Sequence, residues 1–477
     1  MNSSALFTDF YSLTMAQGYW KNNRSERSIF EMFFRHQPFD GGYSIFAGLG
    51  TLIEQLKVFS FSSDDIAWLE NSRLFEKAFL DYLRNFRFKG TLWAMDEGTV
   101  IFVQEPVIRV EGSLIECQII EGLILNTINF QTLIATKTCR LWLACKKGSL
   151  MEFGLRRAQG PDGAISASRA AFIGGACGTS NTLAGKLFGI PVMGTMAHSW
   201  IMSFPDEEEA FNAYAEIYPD KSIFLIDTYD TLKSGIHSAI KAGKKLFAAG
   251  KNFGVRLDSG DIHYLSIEVR RRLDEAGLCN ATITVSNDLD EYIIETLVKE
   301  GAPINCWGVG TKLVTGGSTA AFTGVYKLAA IRGDNKLTPV MKLSDNQEKT
   351  TNPGIKQVWR VKDVNNGALA DVMSIDDSAG SDILETGGRY RFWHYSADYR
   401  HFWHEIEGSV KPLLIKRIED GQQIKDEPSL TQIKDYAASD LECFDATYKR
   451  LLNPHIYKVS ITDALRSLKL DLINKHL

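Results

Sequence analysis

Paired cysteines, long apolar runs and an excess of either charge are all missing from this sequence. Its seven cysteines (117, 139, 145, 177, 279, 306 and 443) form no CxxC and no paired spacing. A dispersed, odd set reads as buried, reduced thiols; it argues against a disulfide framework and for a reducing compartment. No stretch of about 18 apolar residues occurs, so no membrane-spanning helix is expected. The opening residues, MNSSALFTDFYSLTMAQG, lack a basic start and a continuous apolar core, which makes the cytoplasm the expected location. Formal charge is −5, so neither nucleic acid nor an anionic membrane is generally attracted. A small anionic substrate would need a local basic cluster instead. Low-complexity segments and repeats are absent. His401 and His404 form an HxxH among aromatics, but no carboxylate or cysteine completes a zinc set.

What is present is an ordinary globular composition, 44% hydrophobic and 23% charged over 477 residues, enough for two or three domains. Residues 1–145 mix strands with helices: FEMFFRHQPF (30–39) reads as a strand, and 115–139 as an amphipathic helix. From 146 to 345 the pattern changes. Six apolar runs, at 149–157, 191–200, 222–230, 253–261, 282–290 and 304–311, alternate with helical segments. Their spacing of roughly 25 to 40 residues suits strand–helix–strand crossovers. Runs apolar almost throughout fit parallel strands buried on both faces. The expected fold is therefore α/β, an irregular, TIM-like β/α barrel, with an open doubly wound sheet as the alternative. Residues 346–477 return to mixed elements and are expected to pack with 1–145 as a second, α+β domain.

Polar residues recur where the apolar runs stop: Arg156 and Arg157, His198, Asp227, Arg256 with Asp258 and Asp261, Asn287 with Asp288, Gly308 with Gly310. Charged side chains are rarely buried unpaired, and the carboxyl ends of barrel strands form the rim that carries active sites. Singly, many of these are caps or turn residues; together they favour a site. In GVRLDSGD (254–261), Arg256 and Asp258 alternate with Val255 and Leu257 and so share a face. The arginine can hold a carboxylate or phosphate in a forked pair, and the aspartate can bind Mg²⁺ or ribose hydroxyls. Asp261 is either a further magnesium ligand or a helix N-cap. WGVGTKLV (307–314) is either a plain turn or a glycine-rich cradle that lets backbone amides approach an anion. It matches neither GxGxxG nor the GxxxxGK(S/T) loop. His198, in GTMAHSW, is either a satisfied polar residue or a nucleophile able to take a phosphoryl group.

TDFYSLTMAQGY, FEMFFR, EFGLRRAQGPDG, GGACGTSNTLAG, GTMAHSW, VRLDSGD and WGVGTKLVTG, in this order from Thr8 to Lys327, together resemble nicotinate phosphoribosyltransferases. That family belongs to the type II phosphoribosyltransferases. The resemblance implies an α/β barrel beside an α+β domain, and a homodimer whose sites draw on both subunits. It also implies an ATP-coupled, Mg²⁺-dependent synthesis of nicotinate mononucleotide from nicotinate and phosphoribosyl pyrophosphate, the first step from nicotinate to NAD.

Residue roles follow from the same resemblance. Phe153 and Tyr11 would stack on the pyridine ring, Tyr11 coming from the partner subunit. Arg156 and Arg256 would contact carboxylate and phosphate groups, and Asp258 would lie near ribose and Mg²⁺. Gly308 and Gly310, with Thr311 following, would cradle the 5′-phosphate, while Arg35 and Lys327 would hold pyrophosphate or ATP phosphates. His198 matches the histidine that the family phosphorylates from ATP. Thr179 and Ser180 lie in the GTSNT segment, where the related nicotinamide enzyme carries an aspartate in place of Ser180. A carboxylate there would repel a substrate carboxylate, so the neutral serine favours the acid over nicotinamide. Quinolinate, a second alternative, would need extra basic residues.

Overall fold

The computed structural model describes residues 4–476 apart from 25, 334–335, 346–348, 377–381 and 398. The limits of the expected domains at 1, 346 and 477 lie outside the described residues. The fold is mixed α/β in two compact units, one formed by 1–133 with 321–477, the other by 134–320.

The second unit is built on one six-stranded sheet. The order is Gly178–Thr179, Ser149–Glu152, Cys306–Val309, Thr282–Ser286, Gly254–Leu257 and Ile223–Leu225, and every pair is parallel. Parallel strands cannot be joined by tight turns, so helices Gly160–Ile173, Ile236–Ala248, Ile262–Glu275 and Glu291–Lys299 cross between them. The sheet's sequence logic is alternation. Val255, Leu257, Ile283, Val285, Trp307 and Val309 are buried on one face, while Arg256, Ser286 and Gly308 share the other.

The unit's first long strand in sequence pairs with its last (Met151↔Gly308, Glu152↔Val309). A further bridge joins Thr179 to Val192. Among the described residues no strand pairing joins this edge to Ile223–Leu225, so what is observed of the expected irregular barrel is an arc of parallel strands. A buried ionic knot braces the helices outside it. Glu291 takes Lys137 Nζ at 2.5 Å and Arg140 Nε at 2.9 Å. Burial works against its charge, but the two cations outweigh it and lower its pKa.

The first unit holds a seven-stranded antiparallel sheet in which Arg27–Phe34 lies between Gly324–Gly333 and Ile108–Ser113. Ile415–Glu419 joins its edge beside Thr91–Ala94, then turns at Asp420 and Gly421, both at positive φ. A second, six-stranded sheet is formed by residues 356–461 alone. Helix 115–139 of the sequence reading is two helices, Leu114–Ile119 and Glu121–Ala144. Among the described residues no helix is long and apolar enough to cross a membrane. All seven cysteines are free, but only Cys117, Cys139 and Cys145 are buried; Cys279 is exposed.

Arg360 ties the parts of this unit together. Its guanidinium is fully buried and grips Asp371 with two N–H groups, at 2.9 and 2.7 Å, and Asp440 with another at 2.8 Å. Asp440 also takes the Val100 amide at 2.9 Å, and Tyr457 donates to Asp371 at 3.2 Å. Glu105 completes the cluster. Burial, then the Asp371 charge, push its carboxyl well above the usual range, although Arg360 opposes them. One cation facing three carboxyl groups leaves Glu105 as the one to hold a proton.

Two outcomes are expected from this cluster. A carboxyl raised in the folded chain contributes stability at acid pH that fades as pH climbs through its folded value. Glu105→Gln, a neutral mimic, should therefore flatten the fall of the urea midpoint as pH rises above the ordinary carboxyl range; an unchanged slope would refute the assignment. Asp371→Ala strands a buried arginine and should cost about 3–5 kcal/mol in the same titration.

Candidate active site

The strand ends of the second unit carry a repeated arrangement. Each of three strands is followed by a polar residue and, three positions later, by an aspartate: Asp227 and Asp230, Asp258 and Asp261, Asn287 and Asp290. The later member caps the next helix in every case. Asp230 accepts from the amides of Leu232 and Lys233, Asp261 from Tyr264, and Asp290 from Tyr292 and Ile293. Of the two readings of Asp261, the structure shows the N-cap. The earlier aspartates are left to face inward.

There Asp258 meets Arg256. Its Nε donates to Ser286 Oγ at 2.6 Å, Nη1 to Thr195 Oγ1 at 2.6 Å and to the Met196 carbonyl at 3.2 Å, and Nη2 to Asp258 Oδ1 at 2.9 Å. Four of the five N–H groups a guanidinium carries are thus taken by the protein. The arginine expected to reach substrate fastens two strand ends to the segment that leads into His198. Ser286 Oγ also donates to Asp258 Oδ1 at 2.5 Å. Burial opposes the Asp258 charge, but Ser286, Arg256 and His198 together hold its carboxyl below the usual range. Asp227 Oδ2 accepts from the Asp258 amide at 3.0 Å and Ser259 Oγ at 2.5 Å, while its Oδ1 is buried without a hydrogen-bond partner.

His198 opens the short helix His198–Met202. Its Nδ1 lies 3.1 Å from Thr228 Oγ1, and its Nε2 lies 3.8 Å from Asp258 Oδ2. With Nδ1–H donating to Thr228, Nε2 presents a lone pair beside a carboxylate. Two-fifths of the side chain is exposed, so a substrate can reach it.

Phe153 and Gly308 explain each other. A Cβ on Gly308 would lie 2.6 Å from Phe153 Cδ2 and Cε2. The glycine read as part of a phosphate cradle is required first by this ring, which packs against the strand there. The loop that carries the ring is anchored on the sheet's other face by Glu152. That buried carboxylate accepts from the Gly154 amide, from Ser168 Oγ at 2.8 Å and from Thr179 Oγ1 at 2.5 Å. Thr179 is thus buried and structural, whereas Ser180 beside it is partly accessible and donates its amide to the Glu152 carbonyl at 2.9 Å. Arg156 and Arg157 project as an exposed pair from the next turn, Leu155–Arg157. Gly310 caps the short helix Thr311–Val314 and accepts from Leu313 and Val314. The first amides of such a turn have no acceptor within the helix.

Within one unit, then, the structure gathers His198, Arg256, Asp258, Phe153, Gly308 and Gly310 on elements of a single sheet and its loops. Tyr11, Arg35 and Lys327 belong to the other unit. Tyr11 sits on helix Phe10–Lys21, about half exposed; burial of the rest, with the Glu121 carboxylate, pushes its phenol up to about 12. Arg35 follows strand Arg27–Phe34 and its Nε is buried without a partner. Lys327 lies opposite Glu31 on Gly324–Gly333. Sequence reasoning passed over Glu152, Thr195, Thr228 and Ser286. A hydroxyl at a strand end or in a loop carries no signal until its partner is known. Glu152 did carry one, as a lone charge inside an apolar run.

No group of three or more His, Cys, Asp or Glu able to hold a metal is found among the described residues. Mg²⁺ keeps most of its shell for water and phosphate oxygens and needs only one or two protein carboxylates. Asp258 and the unpartnered oxygen of Asp227 fit that requirement.

Family models match along the chain: the nicotinate phosphoribosyltransferase N-terminal domain at 6–129, the nicotinate phosphoribosyltransferase family at 148–370, and the C-terminal domain at 355–469. A nicotinate phosphoribosyltransferase of Bacillus subtilis is 41% identical over 482 residues, covering 99% of this chain and 96% of that one. One from Dictyostelium discoideum is 36% identical, covering 98% and 88%. The crystal structure of human nicotinic acid phosphoribosyltransferase superposes with a TM-score of 0.85 at 29% identity, covering 98% and 99% of the two chains.

Gly308→Ala should force the Phe153 ring off its strand and lower stability by about 1–3 kcal/mol. Urea unfolding measures this, and a midpoint equal to the parent's would show that the ring is not held there.

Proposed function

Since the chain belongs to the nicotinate phosphoribosyltransferase family, transferases of NAD biosynthesis, we propose that its strand-end site joins nicotinate to phosphoribosyl pyrophosphate in an ATP-coupled reaction. The observation that carries this reading is the Arg256–Asp258–His198 arrangement beside the flat ring of Phe153. Departure of pyrophosphate leaves positive charge at the anomeric carbon of the ribose. Asp258, ionised at any working pH because its pKa is depressed, offsets that charge. The pyridine nitrogen then attacks, its ring aligned on Phe153 and its carboxylate answered by the exposed Arg156. Ser180, neutral and able to donate, tolerates that carboxylate. Amides of Gly310 and Thr311 take the 5′-phosphate.

Mg²⁺, when bound, would neutralise the leaving pyrophosphate, with Asp258 and Asp227 as the carboxylates to hold it. ATP enters through His198. Nε2 attacks the γ-phosphorus and ADP leaves; hydrolysis of the phosphohistidine later releases phosphate. Arg256 and Thr228 act here as positioning residues, one fixing the backbone before the imidazole and the other its tautomer.

We also propose that the parallel arc completes an irregular barrel, with Val192 and Ile223–Leu225 as its two lips; the pairing of first and last strands supports this. Phe7, Phe10, Tyr11 and Met15 leave a largely exposed apolar set near the amino terminus. In a homodimer a second copy would cover it, and Tyr11 would reach the partner's pyridine site. Seven free thiols support a cytoplasmic location, and Arg35 and Lys327 are assigned to phosphate groups.

Incubation with nicotinate, phosphoribosyl pyrophosphate and Mg²⁺ should give nicotinate mononucleotide, faster with ATP. Absence of product with and without ATP, or preference for nicotinamide or quinolinate in competition, overturns the reading. His198→Ala should abolish stimulation by ATP and leave ATP-independent synthesis; persistent stimulation removes the residue from that role. Asp258→Asn should lower kcat by about 10²-fold or more.

A further inference from the structure

The first unit contains a cavity of about 880 Å³ that the reaction above does not use. Its wall is unlike the rest of the molecule. Acidic residues outnumber basic ones in the whole chain, 58 to 53. Yet the cavity is lined by His394, Arg400, His401, Arg450, His455 and Lys458, with no aspartate or glutamate among its described lining residues. A chance patch of this surface would mix the two signs.

The site is built from fixed elements. Strands Arg389–His394 and His401–Glu405 pair as a hairpin with Trp393 opposite His401. Residues 447–458 cross over to strand Val459–Ile461, and Gly42 lets that crossing lie close. A Cβ at Gly42 would strike the Tyr448 carbonyl and stand 3.0 Å from Pro454 Cβ. His394 is held as a single tautomer: its Nδ1 accepts the amides of Ser396 at 3.2 Å and Ala397 at 3.1 Å, which leaves the N–H on Nε2. Its ring stacks on Tyr395 at 4.4 Å.

The cations are not spent on internal carboxylates. Asp445, the carboxylate that feels Arg450, directs Oδ1 to the amide and hydroxyl of Thr447, at 2.8 and 2.7 Å. Lys458 has its ammonium over the Phe402 ring at 4.9 Å. Among the described residues no ion pair engages Arg400, Arg450 or Lys458. Arginines with open guanidinium forks suit phosphate oxygens. Tyr395 and Phe402 supply flat faces in the same cavity, and the volume suits a small-molecule ligand.

We propose that this cavity is a second ligand site, for a nucleoside phosphate: the cations take the phosphates and the aromatic wall takes the base. It shares no residue with the strand-end site and does not depend on the reaction assigned there.

Hydrogen exchange of the full-length protein with ADP, adenosine or pyrophosphate tests it, because each segment is read separately. ADP should slow exchange in 394–402 and 447–459 by about threefold or more, adenosine should not, and pyrophosphate should need about tenfold higher concentration. The double variant Arg400→Ala, Arg450→Ala should lose this protection while melting and turning over as the parent does. Any protection at 153–157 and 256–258 reports on the other site and should survive the double variant. The proposal is overturned if millimolar ADP leaves both segments unprotected, or if the double variant is still protected. It also fails if adenosine or pyrophosphate alone protects as well as ADP. Arg450→Glu, a charge reversal on the exposed rim, gives a second check; retained ADP protection there has the same meaning as in the double variant.

Discussion

One guanidinium holds the site together. Arg256 emerges from the middle of a parallel strand and bonds to a neighbouring strand end through Ser286, to its own strand end through Asp258, and to the segment before His198 through Thr195 and Met196. A half-buried arginine with so many internal partners is a fixed object, and Asp258, placed by it, becomes fixed as well. Its pKa is lowered against burial first by Ser286, which Arg256 also holds, then by Arg256 itself and by His198. Electrostatic catalysis depends on such preorganisation, since charges already in place need not reorganise as the reaction proceeds.

The two faces of the sheet divide the work. On the inner face, alternation brings Arg256, Ser286 and Gly308 together, and the missing side chain of Gly308 admits Phe153. On the outer face, Glu152 sits among apolar neighbours and is tolerated because three donors converge on it. Chemistry on one side is thereby stiffened by hydrogen bonds on the other. The first unit repeats the principle around Arg360, where a buried cation is bracketed by Asp371 and Asp440. Around Arg256 and around Arg360 alike, the buried cation is matched by carboxylates.

The membership of this chain in the nicotinate phosphoribosyltransferase family gives these features a setting, but the structural reasons stand without it. Asp261 was ambiguous as text and is a helix cap in space. Gly308, read as half of a phosphate cradle, also makes room for an aromatic ring. In each case one residue type satisfies two different physical demands, and only the neighbour distinguishes them.

Periodicity by itself determined that the middle of the chain would be strands and helices in alternation, because a strand buried on both faces must be apolar along its length. Spacing determined that polar residues would gather at strand ends, and the absence of a long apolar run excluded a spanning helix. Tertiary structure alone decided which strands are neighbours, and so that residues 149–152 pair with 306–309 across about 150 positions of chain. It also decided that Thr228, a hydroxyl with no pattern around it, stands 3.1 Å from His198 Nδ1. Local sequence encodes local preference; a hydrogen bond between distant residues exists only once the backbone has brought them within reach.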